Sequence, residues 1–326
     1  MASLVTGASG FVGTWLVREL IEQGEKVHIL HRSNSSLEDL AGLTFKSCLG
    51  DVTDLDSVDA ALQDVDTVFH LAGVVGYTRS MRAQMEAVNV KGTRNVVEAV
   101  AKRQPQLVYM SSVVAVGASF DPRPLNESSP YTLSHLNLGY FETKKAAEDV
   151  VLAACNKGRI KGVILNPSTI YGAGDAKKGS RKTQLKVARG QLPFYTSGGV
   201  SVVSVHDVVR AVIKARDLGR NGERYILSGE NLTIHDLLSR IAKLAGVKPP
   251  SIYLPNFAVR ALGKLGDALE KIGRKGPISG ENAWTSVLFH WFDHAKATAE
   301  LGFQPRPAQE ALNESVQWMK QHGYLI

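Results

Sequence analysis

The run Thr6-Gly7-Ala8-Ser9-Gly10-Phe11-Val12-Gly13 follows directly on a short apolar segment at 3–5 and opens an amphipathic one. Three glycines at that spacing leave the chain few options. The tight turn out of a strand needs a residue without Cβ, close approach of backbone to a pyrophosphate needs a second, and packing of the next helix on the strand needs a third. A helix beginning beyond Gly10 aims its free amides and positive dipole end at the same place. Taken alone, the triplet is equally a tight strand-to-helix turn with no ligand. Its place at the head of a strand–helix–strand unit favours a bound dinucleotide, with Thr6, Gly7, Ser9, Gly10, Phe11, Val12 and Gly13 as the contacts.

The rest of the first half keeps the rhythm that such a turn requires. Apolar runs at 27–30, 44–48, 67–71, 107–110 and 162–165 alternate with helical patterns starting near Val12, Leu55, Arg82 and Thr132. The strand segments are continuously apolar, as expected where helices cover both faces of a sheet. This alternation means right-handed βαβ units on a parallel sheet, so the predicted class is α/β with a Rossmann-type doubly wound sheet. After Pro167 the rhythm changes. A basic, glycine-rich stretch at 171–189 precedes a strand at 201–205, a helix at 207–217, a strand at 224–227 and several helices, the last at 308–321. This half reads as a smaller, mainly helical lobe over the carboxyl edge of the sheet. The expected division is 1–170 for dinucleotide binding and 171–326 for substrate, partly interleaved.

With 326 residues, 44% hydrophobic and 21% charged, the chain can build one large domain and a smaller lobe. No apolar run has the length of a membrane span, and Met1 is followed at once by the first strand, so neither membrane insertion nor a leader peptide is expected. Cys48 and Cys155 are the only cysteines and lack metal-ligand spacing, which argues against disulfides and zinc and for a reducing cytoplasm. The net charge of +7 would admit an anionic partner, but no nucleic-acid motif accompanies it.

The end of the second strand decides which dinucleotide. A carboxylate there would hold a ribose 2′-hydroxyl, but the chain has Leu30-His31-Arg32-Ser33. With no acid present, Arg32 and Ser33 suit a 2′-phosphate, and NADP(H) is expected over NAD(H). Asp51 and Val52 would lie beside the adenine, and Leu71, Ala72 and Gly73 would let the backbone pass close to the adenosine ribose. Tyr140 and Lys144 share one helix face at i, i+4 spacing. An ammonium beside a phenol of pKa about 10 favours the phenolate and tunes it for proton transfer. Lys144 can also reach ribose hydroxyls, and Ser112 at the end of the fifth strand is placed to hydrogen-bond a substrate oxygen. A lone Tyr-x-x-x-Lys is common on surface helices. Its position after a strand ending in Ser111-Ser112 favours the chemical reading.

As a set, these elements resemble the extended short-chain dehydrogenase/reductases. The matching segments are Thr6 to Gly13, Gly50-Asp51-Val52, His70-Leu71-Ala72-Gly73, Asn89-Val90-Lys91-Gly92-Thr93, Ser111-Ser112 with Gly117, Tyr140 to Lys144, and Pro167-Ser168-Thr169-Ile170-Tyr171-Gly172. The resemblance implies that Ser112 pairs with Tyr140, that Asn89 holds the helix geometry beside them, and that Pro167 and Thr169 meet the nicotinamide carboxamide. It further implies cofactor contacts at Ser111, Tyr140 and Lys144, and substrate contacts at Thr78, Val113 and Ser168. Thr143 stands where serine is commoner. In the second half, Gly222 to Leu227, Glu230-Asn231-Leu232-Thr233 and Leu301 to Pro307 resemble the dihydroflavonol-4-reductase-like branch. That branch includes bacterial reductases and hopanoid-associated sugar epimerases, and it borders the 3β-hydroxysteroid dehydrogenases. Related enzymes pair the helices carrying Asn89 and Tyr140 in a four-helix interface. Ala146, Ala147, Val150, Val151 and Ala154 would give this chain small apolar surface for the same homodimer.

Three functions then compete: an NADPH-dependent reductase of a ketone or aldehyde, a nucleotide-sugar epimerase that retains its cofactor, and a non-enzymatic NADP sensor. An intact Ser112, Tyr140 and Lys144 argue against the sensor. Related dehydratases carry an Asp-Glu pair where Val113-Val114 stand, and related epimerases hold NAD through an acid where Arg32 stands. Lys177, Lys178, Arg181, Lys182, Lys186 and Arg189 crowd a segment that usually lines the outer pocket, where they could hold a phosphate, a carboxylate or a CoA-like group, or simply be solvated. The helix with Leu262, Leu265, Leu269 and Ile272 is expected to turn those side chains toward the core of the lobe rather than toward a membrane surface.

Overall fold

The structure, a computed structural model, describes residues 1–177, 181–274 and 276–325. Lys178 of the basic stretch lies outside the described residues. The first half supplies strands β1 (Ala2–Thr6), β2 (Lys26–His31), β3 (Lys46–Leu49), β4 (Thr67–His70), β5 (Gln106–Met110) and β6 (Gly162–Pro167). Between them run helices α1 (Phe11–Glu22), α2 (Leu55–Ala61), α3 (Arg82–Met85), α4 (Thr93–Arg103) and α5 (Gly139–Asn156), with a π-helical turn at Glu86–Gly92 joining α3 to α4. The second half adds β7 (Thr169–Tyr171), α6 (Lys182–Ala188), β8 (Phe194–Tyr195), β9 (Gly199–Ser204), α7 (Val205–Leu218), β10 (Arg224–Leu227), β11 (Glu230–Thr233) and α8 (Ile234–Ala245). It ends with β12 (Ile252–Tyr253), α9 (Asn256–Lys271), α10 (Gly280–Thr285), β13 (Phe289–His290), α11 (Ala295–Leu301) and α12 (Ala308–Gln321).

The central sheet has seven parallel strands in the order β10-β6-β5-β4-β1-β2-β3. The strand direction of growth reverses at β1, and there the carboxyl ends open a crevice between β1 and β4. Adjacent residues of β1 show why the fold needs apolar strands. Leu4 and Val5 are both fully buried, in separate clusters on opposite faces. On one face lie Leu16, Val17 and Leu20 of α1 with Val208 and Val212 of α7; on the other lie Val58 of α2, Val96 and Val100 of α4, and Ala147 and Val151 of α5. Strand β10 pairs with β6, so a strand of the second half completes the first-half sheet. A second sheet is centred on β9, flanked by β11, β13 and β7.

Two expectations are corrected. The helix expected from about Thr132 starts at Gly139, because Asn137 takes a left-handed φ of 54° that no right-handed helix can contain. Arg82 fixes that turn by donating to Asn137 Oδ1 at 2.7 Å. The second correction concerns α9. Of the four side chains expected in the core, Leu262, Leu265 and Ile272 are 37%, 51% and 67% exposed and Leu269 is half-buried, while the buried positions are Val259, Gly263 and Gly266. A Cβ on Gly266 would lie 1.8 Å from the Ile278 carbonyl oxygen, and one on Gly263 would lie 2.6 Å from Ala283 Cβ. Backbone, rather than side chain, makes the contact of α9 with the segment leading into α10.

Candidate active site

The glycine turn sits at the head of the crevice. Gly7 has a φ of 73°, and a Cβ there would come 2.7 Å from the Ala72 nitrogen; one on Gly13 would come 2.2 Å from the Gly7 oxygen. Neither position tolerates a side chain, so strand, turn and helix close tightly on one another. The N-cap of α1 is Gly10, which makes no side-chain cap bond, and the first-turn amides of Phe11 and Val12 remain available to an anion. These features fit a dinucleotide pyrophosphate. Thr6 takes a different part from the one expected. It is fully buried, its Oγ1 lies 2.7 Å from His70 Nδ1 and accepts from the Ala72 amide at 3.2 Å, so it ties β1 to the loop after β4. Arg32 and Ser33 are exposed beyond β2. The Arg32 guanidinium makes no ion pair among the described residues, while His31 and Ser47 bond each other at 2.6 Å. Asp51 accepts from the Thr53 amide at 2.8 Å, and Val52 is buried with its carbonyl held by Asn95 at 2.9 Å. Leu71 and Ala72 are half-buried and Gly73 is exposed at the crevice.

Tyr140 and Lys144 lie on the first two turns of α5 and are largely buried, and Ser112 follows β5. Burial pushes the Tyr140 phenol above its ordinary range, Tyr77 adds to that, and the hydrogen bond with Ser112 opposes it. The Lys144 ammonium was expected to depress this phenol. It is turned instead to the Met110 carbonyl at 2.9 Å and the Tyr109 hydroxyl at 3.4 Å, 5.0 Å from the centre of the Tyr109 ring. Burial pushes Lys144 down to about 8, and Glu148 opposes that shift. Asn89 lies on the π-helical turn, the kind of helix irregularity common at functional sites. It accepts from the Val74 amide at 2.8 Å, donates to the Val74 carbonyl at 3.0 Å and to Thr143 Oγ1 at 3.3 Å. It therefore pins the loop after β4 to the helix that carries Tyr140.

Sequence reasoning missed the group beneath this pair. Glu148, one turn past Lys144, is fully buried. It accepts from Ser111 Oγ at 2.6 Å, Asn166 Nδ2 at 2.6 Å and Arg224 Nη1 at 3.0 Å. Asn166 Nδ2 also reaches the Ser112 carbonyl at 3.0 Å. Ser111, expected to touch the cofactor, thus points into the protein. The signal was available as Lys-x-x-x-Glu on one face of a helix that otherwise buries apolar groups. Tyr77 was also missed; its ring meets that of Tyr140 edge-on at 5.9 Å.

Of the remaining candidates, Val113 is buried beside Ser112, Thr78 is half-buried and bonds Ser80 at 3.0 Å, and Thr169 begins β7 just beyond Pro167. Ser168 is buried with an Oγ that finds no protein partner. The basic stretch is largely spoken for. Arg181 stacks 4.2 Å over Tyr171 and lies 3.7 Å from Asp175, Lys177 pairs with Asp39, and Arg189 donates to the Tyr324 carbonyl at 2.9 Å. Lys182 and Lys186 are exposed. Of the five α5 residues expected to supply dimer surface, Ala147, Val151 and Ala154 are buried in the core beside the sheet and the half-buried Val150 packs against the same cluster, which leaves Ala146 exposed. Among the described residues, no group of three or more His, Cys, Asp or Glu is placed to hold a metal ion, and no helix is long and apolar enough to cross a membrane.

The sequence model of the NAD dependent epimerase/dehydratase family matches residues 3–228. A protein of Synechocystis sp. provisionally named dihydroflavonol 4-reductase is 31% identical over 328 residues, covering 98% of this chain and 95% of its own. Sterol demethylase protein B of Methylococcus capsulatus is 31% identical over 333 residues, covering 100% of both. The crystal structure of gox2253 is similar throughout, with a TM-score of 0.89 and 33% identity over 100% of this chain and 99% of that one.

Proposed function

The chain belongs to the NAD dependent epimerase/dehydratase family, and from that premise we propose that it is an NADP(H)-dependent reductase of a ketone or aldehyde, reversible as an alcohol dehydrogenase. What supports this reading is the hydrogen bond between Ser112, which follows β5, and the buried Tyr140, with Lys144 one turn further along the same helix. NADPH, when bound, supplies the hydride. Tyr140, kept protonated by burial, gives its proton to the carbonyl oxygen. Ser112 hydrogen-bonds that oxygen, and Lys144 carries a compensating positive charge one turn along the same helix. Arg32 and Ser33 receive the 2′-phosphate, the glycine turn and α1 hold the pyrophosphate, and Pro167 and Thr169 border the nicotinamide. Residues 1–170 serve the cofactor and 171–326 the substrate, with β10 and α7 returning to the first sheet.

The wall around Tyr140 is apolar and ring-rich, built from Val114, Leu133 and Leu138 with Tyr77 and Trp284 at its edge. That wall, and the dihydroflavonol and sterol in the relatives' names, point to a polycyclic ketone or alcohol, the 3β-hydroxysteroid type included. The unpaired cysteines suit the cytoplasm, and the exposed Ala146, with the part of Val150 left uncovered, leaves α5 a narrow face for a homodimer, which light scattering would read as twice the monomer mass. The deciding experiment mixes purified protein, NADPH and a panel of ketones, aldehydes, steroids and UDP-sugars. A reductase consumes NADPH stoichiometrically with a carbonyl substrate. An isomerised UDP-sugar, no net change in NADPH absorbance and a cofactor that survives dialysis would transfer the assignment to an epimerase.

A further inference from the structure

We propose that the outward face of α9 docks the protein on a bilayer surface that carries anionic lipid, and that it does so beside the mouth of the active site. At about 100° per residue, Phe257, Ala261, Leu265 and Ala268 of the helix, with Ile272 at its C-cap, fall in an arc of about 80°. Phe257 is 71% exposed, Leu265 51% and Ile272 67%. An amphipathic helix of a globular protein ordinarily buries such a stripe. Here the glycines bury the opposite side and the stripe is left in water, where a contiguous apolar strip marks an interaction site.

Charge selects the occupant. Exposed Lys264 and Lys271 run along one edge of the stripe, and exposed Arg274 follows the helix. The carboxylates of α9 are turned the other way: Asp267 accepts from the Gly280 amide at 2.8 Å and Glu270 from the Ser80 amide at 3.2 Å. The outward face is thus apolar groups edged by cations, within a chain of net charge +7. A lysine stem can lie along an apolar surface while its ammonium reaches a lipid phosphate, the pattern of interfacial helices on anionic membranes.

Position links the surface to chemistry. The Glu270 bond to Ser80 ties the last turn of α9 to the loop of Tyr77 and Thr78, and Tyr77 stands against Tyr140. Arg260 of α9 lies 5.3 Å over the ring of Trp284, which packs in the same apolar cluster as Tyr140. An apolar ketone dissolved in a bilayer would meet the site without crossing water. This purpose rests on the reductase reading; the docking surface does not.

The test uses the full chain and sedimentation with vesicles of phosphatidylcholine alone or mixed with phosphatidylserine. Wild type is expected to pellet with the mixed vesicles and to be released when salt shortens the Debye length from about 10 Å to about 3 Å. The double variant Leu265→Glu/Ile272→Glu should bind at least about tenfold more weakly, with unchanged Tm and unchanged far-ultraviolet circular dichroism. Lys264→Glu/Lys271→Glu should lose the preference for phosphatidylserine. No pelleting with either vesicle, or binding that Leu265→Glu/Ile272→Glu leaves intact, overturns the proposal. So does a lipid-free wild-type mass that falls to the monomer in that variant, since the stripe would then join two copies of the chain. Vesicle binding without any carbonyl turnover would keep the surface and remove the reductase assignment.

Discussion

Helices α1 and α9 both meet their neighbours through glycine, yet one obeys its apolar pattern and the other inverts it. In α1, Leu16, Val17 and Leu20 are buried as their spacing requires, and Gly13 only relieves the contact with the turn. In α9, Gly263 and Gly266 bring the backbone into close contact beside the buried Val259, and Phe257, Leu265 and Ile272 stand outside. Periodicity identifies an amphipathic helix in both cases. It tells which face packs only where large side chains, rather than bare backbone, fill the interface. The packing of α1 is therefore where sequence pattern and structure agree, and the packing of α9 is where they part.

The largest effect belongs to the cofactor half. Tyr140→Phe keeps the ring and removes the proton, so turnover should fall about 10²- to 10⁴-fold while NADPH titration shows almost unchanged affinity. A variant with near-normal kcat would end the acid assignment. Next comes Arg32→Ala. An exposed guanidinium free of ion pairs among the described residues has little to do in the apoprotein, so Tm should stay constant. NADP(H) should weaken by roughly 10- to 100-fold, as a lost charged hydrogen bond implies, and NAD(H) hardly at all. Equal losses for the two cofactors, measured by calorimetry, would sink the 2′-phosphate role.

In the lobe, the inversion itself can be tested with neighbouring residues of one helix. Gly266→Leu forces a side chain into a space where even a Cβ is 1.8 Å from a carbonyl oxygen, and should cost about 1–3 kcal/mol or more of stability. Leu265→Ser, the substitution a core helix would not tolerate, should stay within about 0.5 kcal/mol of wild type. Thermal melts that rank the two in the opposite order would restore the core-facing reading of α9.

What was legible divides by kind of feature rather than by half of the chain. The strand positions, the tight glycine turn and the placing of Tyr140 and Lys144 on one helix could be read because each is a local pattern of sequence. The start of α5 was missed by seven residues because Asn137 adopts a left-handed turn that Arg82, distant in sequence, holds in place. The places of Thr6 and Ser111 were missed because both are polar residues at strand ends near a crevice, and only the fold shows that His70 and Glu148 claim them from below. Glu148 itself reads as an ordinary helix-surface acid until Arg224 arrives from β10 to make its burial affordable.

That carboxylate gives the smallest and sharpest prediction. Lys144 is held at about 8 by burial, and the acceptors around it are the Met110 carbonyl, the Tyr109 hydroxyl and, one turn on, Glu148. His70, stacked on Tyr109, is pushed down to about 3 and stays neutral, while Tyr140 is pushed up, so neither titrates near 8. If turnover needs the Lys144 ammonium, the rate should fall as pH rises through about 8. Glu148→Gln keeps the shape and removes the charge that supports the ammonium, so Lys144 drops further and the alkaline limb should move to lower pH. Rates well below the limb should remain close to wild type. Arg224 faces Glu148 from the other side and would be left without its partner, so Tm should fall too. Glu148→Gln/Arg224→Met separates the two effects: it should recover stability and keep the displaced limb. A rate lowered equally at every pH, in both variants, would make Glu148 a structural anchor that has no say in the charge of Lys144.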